Sequence, residues 1–317
     1  MPSQVRILLL LAVTLLPISG CLFRSHQVDR RAVSGVPLKE ATIQELVDKI
    51  NTDAARIRTV NATVDIATEI GGSKKGKVTE FQEIRGNILV RKPGMLRMLG
   101  RFPVLRNIAF DMVSDGEHFK LSLPTRNKFI IGLKDVKQPS KQPLENLRPQ
   151  HIMDAILLRE IDPKDEIAVL ESSIEIVRDS RTKKDVEQVY YVINVIRKDT
   201  DGRWALSRRI YFNRVDLAAR KQIIFDAFGN VATIATYDNI TDYEGIQFPS
   251  IIGIERPLEE YTIQLGMVKL RLNTDLHDDQ FVLSQPDGSK LTILDGAVPE
   301  NTEPNLADPK SHGSHRK

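Results

Sequence analysis

The chain has 317 residues, 41% hydrophobic and 27% charged, with 45 Lys and Arg set against 42 Asp and Glu. That is the composition of a globular protein, and a net charge of +3 with the two signs interleaved gives no electrostatic footprint for nucleic acid. One cysteine, Cys21, excludes both a disulfide framework and a cysteine metal site.

The N-terminus reads as a secretory signal. Arg6 and the free amine form a small positive region, Ile7 to Leu16 is apolar, and Ser19-Gly20 supply the small residues a signal peptidase needs. The apolar run falls short of the ~20 residues that span a bilayer. Cys21 closes Leu16-Pro17-Ile18-Ser19-Gly20-Cys21, and this segment resembles the bacterial lipobox, in which the thiolate takes a diacylglyceryl group. Ile18 stands where that motif usually has Leu. Residues 1–20 are therefore expected to be a lipoprotein signal peptide and Cys21 the lipidated residue. An ordinary secretory signal before a cysteine is the plainer reading. Residues 21–40, with Ser25, Ser34, Gly35 and Pro37, read as a flexible tether, and 41–296 as one domain. The Pro-rich segment 297–317 reads as a disordered tail.

The domain opens on a helix. Thr42 and Glu45 make a capping box, and Ile43, Leu46, Val47, Ile50, Ala54 and Ile57 follow at helical spacing. From Val60 the apolar period becomes two, the chain turns at 71–76, and it returns through Ile84, Ile88 and Val90. Strand patterns recur at 96–102, 106–113, 119–123 and 128–132. A second helix is predicted from Pro149 to near Asp162-Pro163. Long strands follow at 167–178, 186–197, 204–212, 218–228, 231–237, 246–254 and 261–272. Their short connections make them antiparallel neighbours, a meander.

Several strands are apolar on both faces. Val189, Tyr191, Ile193 and Val195 share one face of their strand, and Tyr190, Val192 and Ile196 the other. A sheet with one solvated face alternates more cleanly, so something covers the second side. A strongly curved sheet whose concave face is partly filled by two helices meets that requirement and leaves space for an apolar ligand. A sheet packed solidly on its helices meets it too.

Three motifs sharpen the choice. Arg91-Lys92-Pro93-Gly94-Met95-Leu96-Arg97, then Asp115-Gly116, then Leu123-Pro124 resemble, in that order, the LolA/LolB family of lipoprotein carriers and outer-membrane receptors. Tyr237-Asp238-Asn239-Ile240, Gln247-Phe248-Pro249, Arg256-Pro257 and Asp278-Asp279-Gln280-Phe281 resemble its closing strands. The resemblance implies a mainly β (α+β) fold, a half-open antiparallel β-barrel of about eleven or more strands with helices covering the concave face. It also implies that acyl chains of lipids or lipoproteins are the ligand. Candidates to line the cavity are Leu96, Met98, Ile108, Phe110, Phe119, Ile193, Phe225 and Ile263; plain core is the more ordinary role of each. Arg97 matches an arginine that faces the lid in the soluble carriers, and an exposed strand arginine is the alternative. Phe102, Val104 and Leu105, flanked by Arg101 and Arg106, match an apolar tip turned toward the membrane; a buried edge turn is the alternative. Leu22 after Cys21 implies an outer-membrane anchor facing the periplasm, and that anchor argues against a freely diffusing carrier.

No G-x-S-x-G, H-E-x-x-H or P-loop pattern is present. His118 near Asp115, and Asp275 with His277, Asp278 and Asp279, read as solvated turns and not as metal sites. The expectation is a non-enzymatic protein without cofactor or metal, acting in lipoprotein or lipid trafficking to the outer membrane. The alternative is a structural envelope lipoprotein that docks a protein partner without a lipid cavity.

Overall fold

A computed structural model describes residues 36–72, 74, 76–104, 106–134, 148–178, 183–199 and 201–294. Cys21, the signal, most of the tether, the 297–317 tail and Leu105 lie outside the described residues. Two compact units are present. One comprises the described residues of 36–175 and 189–294; of the other, only the strand ends 176–178 and 183–188 are described.

Helix α1 (Ile43–Arg56) begins as its sequence dictates. The Thr42 hydroxyl accepts from the Glu45 N–H while the Glu45 carboxylate accepts from the Thr42 N–H at 2.7 Å. That reciprocal pair satisfies two of the donors a helix start leaves open. Its apolar stripe, Leu46, Ile50 and Ala54, is buried. The chain is already docked ahead of the helix, since the Lys39 N–H donates to the Arg214 carbonyl at 2.6 Å.

The strands are β1 (Thr59–Gly72), β2 (Lys77–Glu80), β3 (Ile84–Arg91), β4 (Met95–Arg101), β5 (Ile108–Ser114), β6 (His118–Leu123), β7 (Lys128–Leu133), β8 (Glu166–Arg178), β9 (Asp185–Lys198), β10 (Trp204–Asn213), β11 (Ala219–Phe225), β12 (Val231–Tyr243), β13 (Ile246–Arg256), β14 (Tyr261–Leu272) and β15 (Lys290–Ile293). Helix α2 (Pro149–Ile156) interrupts them after β7. All fifteen strands form one open sheet, ordered β15-β7-β6-β5-β4-β3-β1-β14-β13-β12-β11-β10-β9-β8, with β2 beside β1. The meander is antiparallel, as expected from its short turns. The chain's two halves meet where β1 pairs with β14, with Val60 opposite Leu272 and Ile70 opposite Tyr261.

Two strands escaped the sequence patterns, and one helix is shorter than its pattern. β2 is exposed along its whole length and has no apolar period; it exists because it extends the β1 hairpin. β15 pairs parallel to β7, an arrangement no short turn announces. Helix α2 stops at Ile156 because Leu157 adopts extended backbone (φ −117°, ψ 119°), and Leu157 and Ile161 are buried from that extended chain.

Both faces of the sheet are covered in places. On the inner face, Leu46 and Ile50 of α1 pack with Ile193, Val195, Ile210 and Phe212. Ile152, Met153, Ala155 and Ile156 of α2 join Val60, Val64, Leu96, Met98, Ile252 and Ile254 in the largest cluster. On the outer face, the segment after β14 covers β3 to β5. Leu276 and Phe281 pack on Val113, and Arg91 lies over the Phe281 ring at 5.2 Å. Each face thus has its own partial cover, residues of α1 and α2 on one and the C-terminal segment on the other. Among the described residues no helix is long and apolar enough to cross a membrane.

Candidate functional site

The inner face of the β14-β1-β3-β4-β5-β6 run encloses a cavity of about 370 Å³. Strand alternation builds its walls. Ile66, Thr68 and Ile70 project from one face of β1, Ile263 and Tyr261 from β14, Met98 from β4, and Leu121 and Leu123 from β6. Phe110 and Ala109 of β5 both contribute, next to a register shift between Gly100 and Arg101 where β4 meets β5. Phe81, Gln82 and Ile84 close one side, and Phe102, Thr125 and Arg126 stand at the strand ends.

Gly100 makes room. A Cβ there would lie 2.6 Å from the Phe110 ring and 2.7 Å from Ile84 Cδ1, so the close packing of these two cavity-lining side chains requires glycine.

Beside this wall lies a buried polar group. Arg256 donates to Thr233 Oγ1 at 2.8 Å and to Glu259 Oε1 at 2.6 Å. His151 of α2 is held neutral well below its ordinary range, first by burial and then by the charges of Arg256 and Arg148. Burial likewise raises the Tyr261 phenol. Arg148, buried at the start of α2, has its guanidinium over the Phe119 ring at 4.9 Å. His151 Nδ1, Arg256 Nε and the Tyr261 hydroxyl are buried and make no hydrogen bond. With no accessible surface they lie behind the cavity wall, not in its lumen.

A second cavity of about 90 Å³ lies between α1, residues 156–158 and the inner face at Tyr237 and Phe248. It has the space of a few waters. Lys92 stands at its edge with Nζ donating to the Ala54 carbonyl at 2.5 Å, and burial lowers its pKa.

The candidate residues separate. Met98, Phe110 and Ile263 line the larger cavity, and so does Phe102 from the tip. Leu96 and Phe119 share that face but are packed into the central cluster. Ile193 is buried under α1, far along the strand order. Ile108 is 39% exposed at the start of β5, and Phe225, half-buried on β11, is not among the lining residues. Arg97 is on the opposite face. It pairs with Asp111 at 2.8 Å and donates to the Gln280 carbonyl at 2.9 Å, so it anchors the C-terminal segment and has no contact with the cavity. Val104 is 85% exposed. Sequence reasoning named neither Arg126 nor the Ile66-Thr68-Ile70 row; the row's strict alternation was the available signal.

No family model matches this chain, and no curated protein does. Solved structures do resemble it. A LolA superfamily protein from Nitrosomonas europaea is 16% identical, with 77% of this chain and 99% of that one covered at a TM-score of 0.46. A DUF1329 family protein from Desulfovibrio piger is 15% identical, covering 75% and 94%, at 0.47. A domain described as an outer-membrane lipoprotein-sorting protein, from Vibrio parahaemolyticus, is 12% identical over 75% and 94%, at 0.40.

Proposed function

We propose that this protein is an envelope lipoprotein that receives the acyl chain of a lipid or lipoprotein in the larger cavity and serves its trafficking to the outer membrane. The observation that carries the reading is the cavity itself: about 370 Å³, walled by Ile, Leu, Met and Phe side chains. That volume lies within the range of ligand sites. The need is energetic. At about 0.8 kcal/mol per methylene, a chain of roughly a dozen methylenes costs on the order of 10 kcal/mol to expose, so it crosses water only with an escort.

In this reading Cys21 carries the lipid anchor at the outer membrane, facing the periplasm. The tip between β4 and β5, with Val104 exposed beside Arg101 and Arg106, meets the lipid interface, its arginines level with phosphates. No group in the cavity is assigned a catalytic role.

The test is mass spectrometry of an organic extract from the Cys21→Ser chain purified from a bacterial periplasm without detergent. Stoichiometric phospholipid, fatty acid or acylated peptide is expected. A stable, lipid-free monomer that also takes up no added lipid would sink the reading. Labelling with radioactive palmitate tests the anchor separately: the wild-type chain is labelled and Cys21→Ser is not.

A further inference from the structure

The larger cavity is graded in polarity, and its polar end carries one sign of charge. Among the described lining residues Arg126 is the sole charged side chain, and no carboxylate accompanies it. Arg126 closes the 3-10 turn Pro124–Arg126 between β6 and β7, is exposed, and has no ion pair among the described residues. Beside it stand Thr125 and, from the segment entering β3, Gln82. These groups belong to one end of the sheet. β4 and β6 leave at that end, β3, β5 and β7 enter there, and the exposed Val104 tip joins two of them. Deeper along β4 and β6 the walls are Met98 and Leu121.

Resting on the acyl-chain reading above, we propose that the cavity takes a single-chain amphiphile with an anionic head. The chain lies against the inner wall, and the head oxygens pair with Arg126 at the rim. A cavity of about 370 Å³ is at the low end of ligand-site volumes, on the scale of a single chain. Charge selects the head, because a guanidinium without a partner at an apolar rim gains a charge-assisted, two-pronged contact from a carboxylate or phosphate and nothing comparable from an alcohol.

Calorimetric titration of the delipidated Cys21→Ser chain with dodecanoate, dodecanol and dodecanoyl lysophosphatidylglycerol tests this. The anions are expected to bind about tenfold or more tighter than dodecanol. Arg126→Gln removes that preference and Arg126→Glu reverses it. Either order of the two anions keeps the assignment and identifies the head as carboxylate or phosphate. Equal binding of dodecanoate and dodecanol, or an unchanged preference in Arg126→Gln, overturns the anionic-head assignment while leaving the acyl-chain reading in place. Failure of all three ligands to bind the folded parent overturns both.

Discussion

Glu166 and Arg208 hold the chain between α2 and β8 in place, and cutting that link has a calculable cost. Both side chains are almost completely buried, at 4% and 3% exposed, with Arg208 Nη2 to Glu166 Oε2 at 3.1 Å. Arg208 also donates to the carbonyls of Arg159 at 2.6 Å and Glu160 at 2.8 Å, and Glu166 accepts from Arg159 at 3.0 Å. Desolvation lowers the pKa of Arg208, and the Glu166 charge opposes that shift. In Glu166→Ala the guanidinium stays buried without its counter-charge, a loss of about 3–5 kcal/mol. With a urea dependence of about 3 kcal/mol per molar, the midpoint falls by roughly 1–2 M. Replacing both residues, Glu166→Leu with Arg208→Met, removes the stranded charge and recovers most of the loss. Urea melts of the three proteins followed by circular dichroism decide the matter. A drop below about 1 kcal/mol in Glu166→Ala, or a double variant no better than the single one, would refute the reasoning.

His151 makes stability depend on pH. Its folded pKa is depressed, so between that value and about 6.5 the unfolded chain binds a proton that the folded chain does not. Stability therefore falls as pH drops through this window, by up to about 1.4 kcal/mol per unit, and His151→Phe flattens the slope; urea midpoints between pH 7.5 and 5 measure it. Gly100→Val drives a side chain into Phe110 and Ile84, costing about 1–3 kcal/mol and weakening uptake of a neutral apolar dye by the cavity. Normal dye binding in a folded Gly100→Val would count against the assigned walls. Asp111→Ala frees Arg97 on the outer face and loosens the segment after β14, which limited proteolysis detects as faster cutting near Gln280. Unchanged cutting would mean that Arg97 is not its anchor.

Much of the fold is written in local chemistry. The Thr42–Glu45 box sets the helix start, and period-two runs joined by short turns set the antiparallel meander. What escaped has non-local causes. The Lys77–Glu80 strand has no buried face to leave a pattern. Leu157, Leu158 and Ile161 continue a helical spacing, yet they are apolar because the extended chain buries them under the sheet's inner face. The face of Arg97 was undecidable until register set Leu99 opposite Asp111, since a one-residue slip exchanges the faces. For residues 102–105 the sequence offered both an apolar tip and a buried turn, and Val104 is exposed.

The cavity itself follows from how little the helices can cover. α2 has 8 residues, about 12 Å of helix, and neighbouring strands are about 4.8 Å apart, so it crosses only two or three of them. α1 is spent on the other side, against Ile193, Val195 and Phe212. The inner face near Met98 and Phe110 has no α-helix among its described lining residues, and side chains chosen for a core face an opening instead. Composition cannot signal this difference. Leu96 and Met98 are both apolar, both on the inner face of β4 and at most 1% exposed. They stand two residues apart, about 7 Å along the strand. Met98 borders the cavity and Leu96 does not, although both belong to the same buried cluster, so apolar identity alone does not separate packed core from cavity wall.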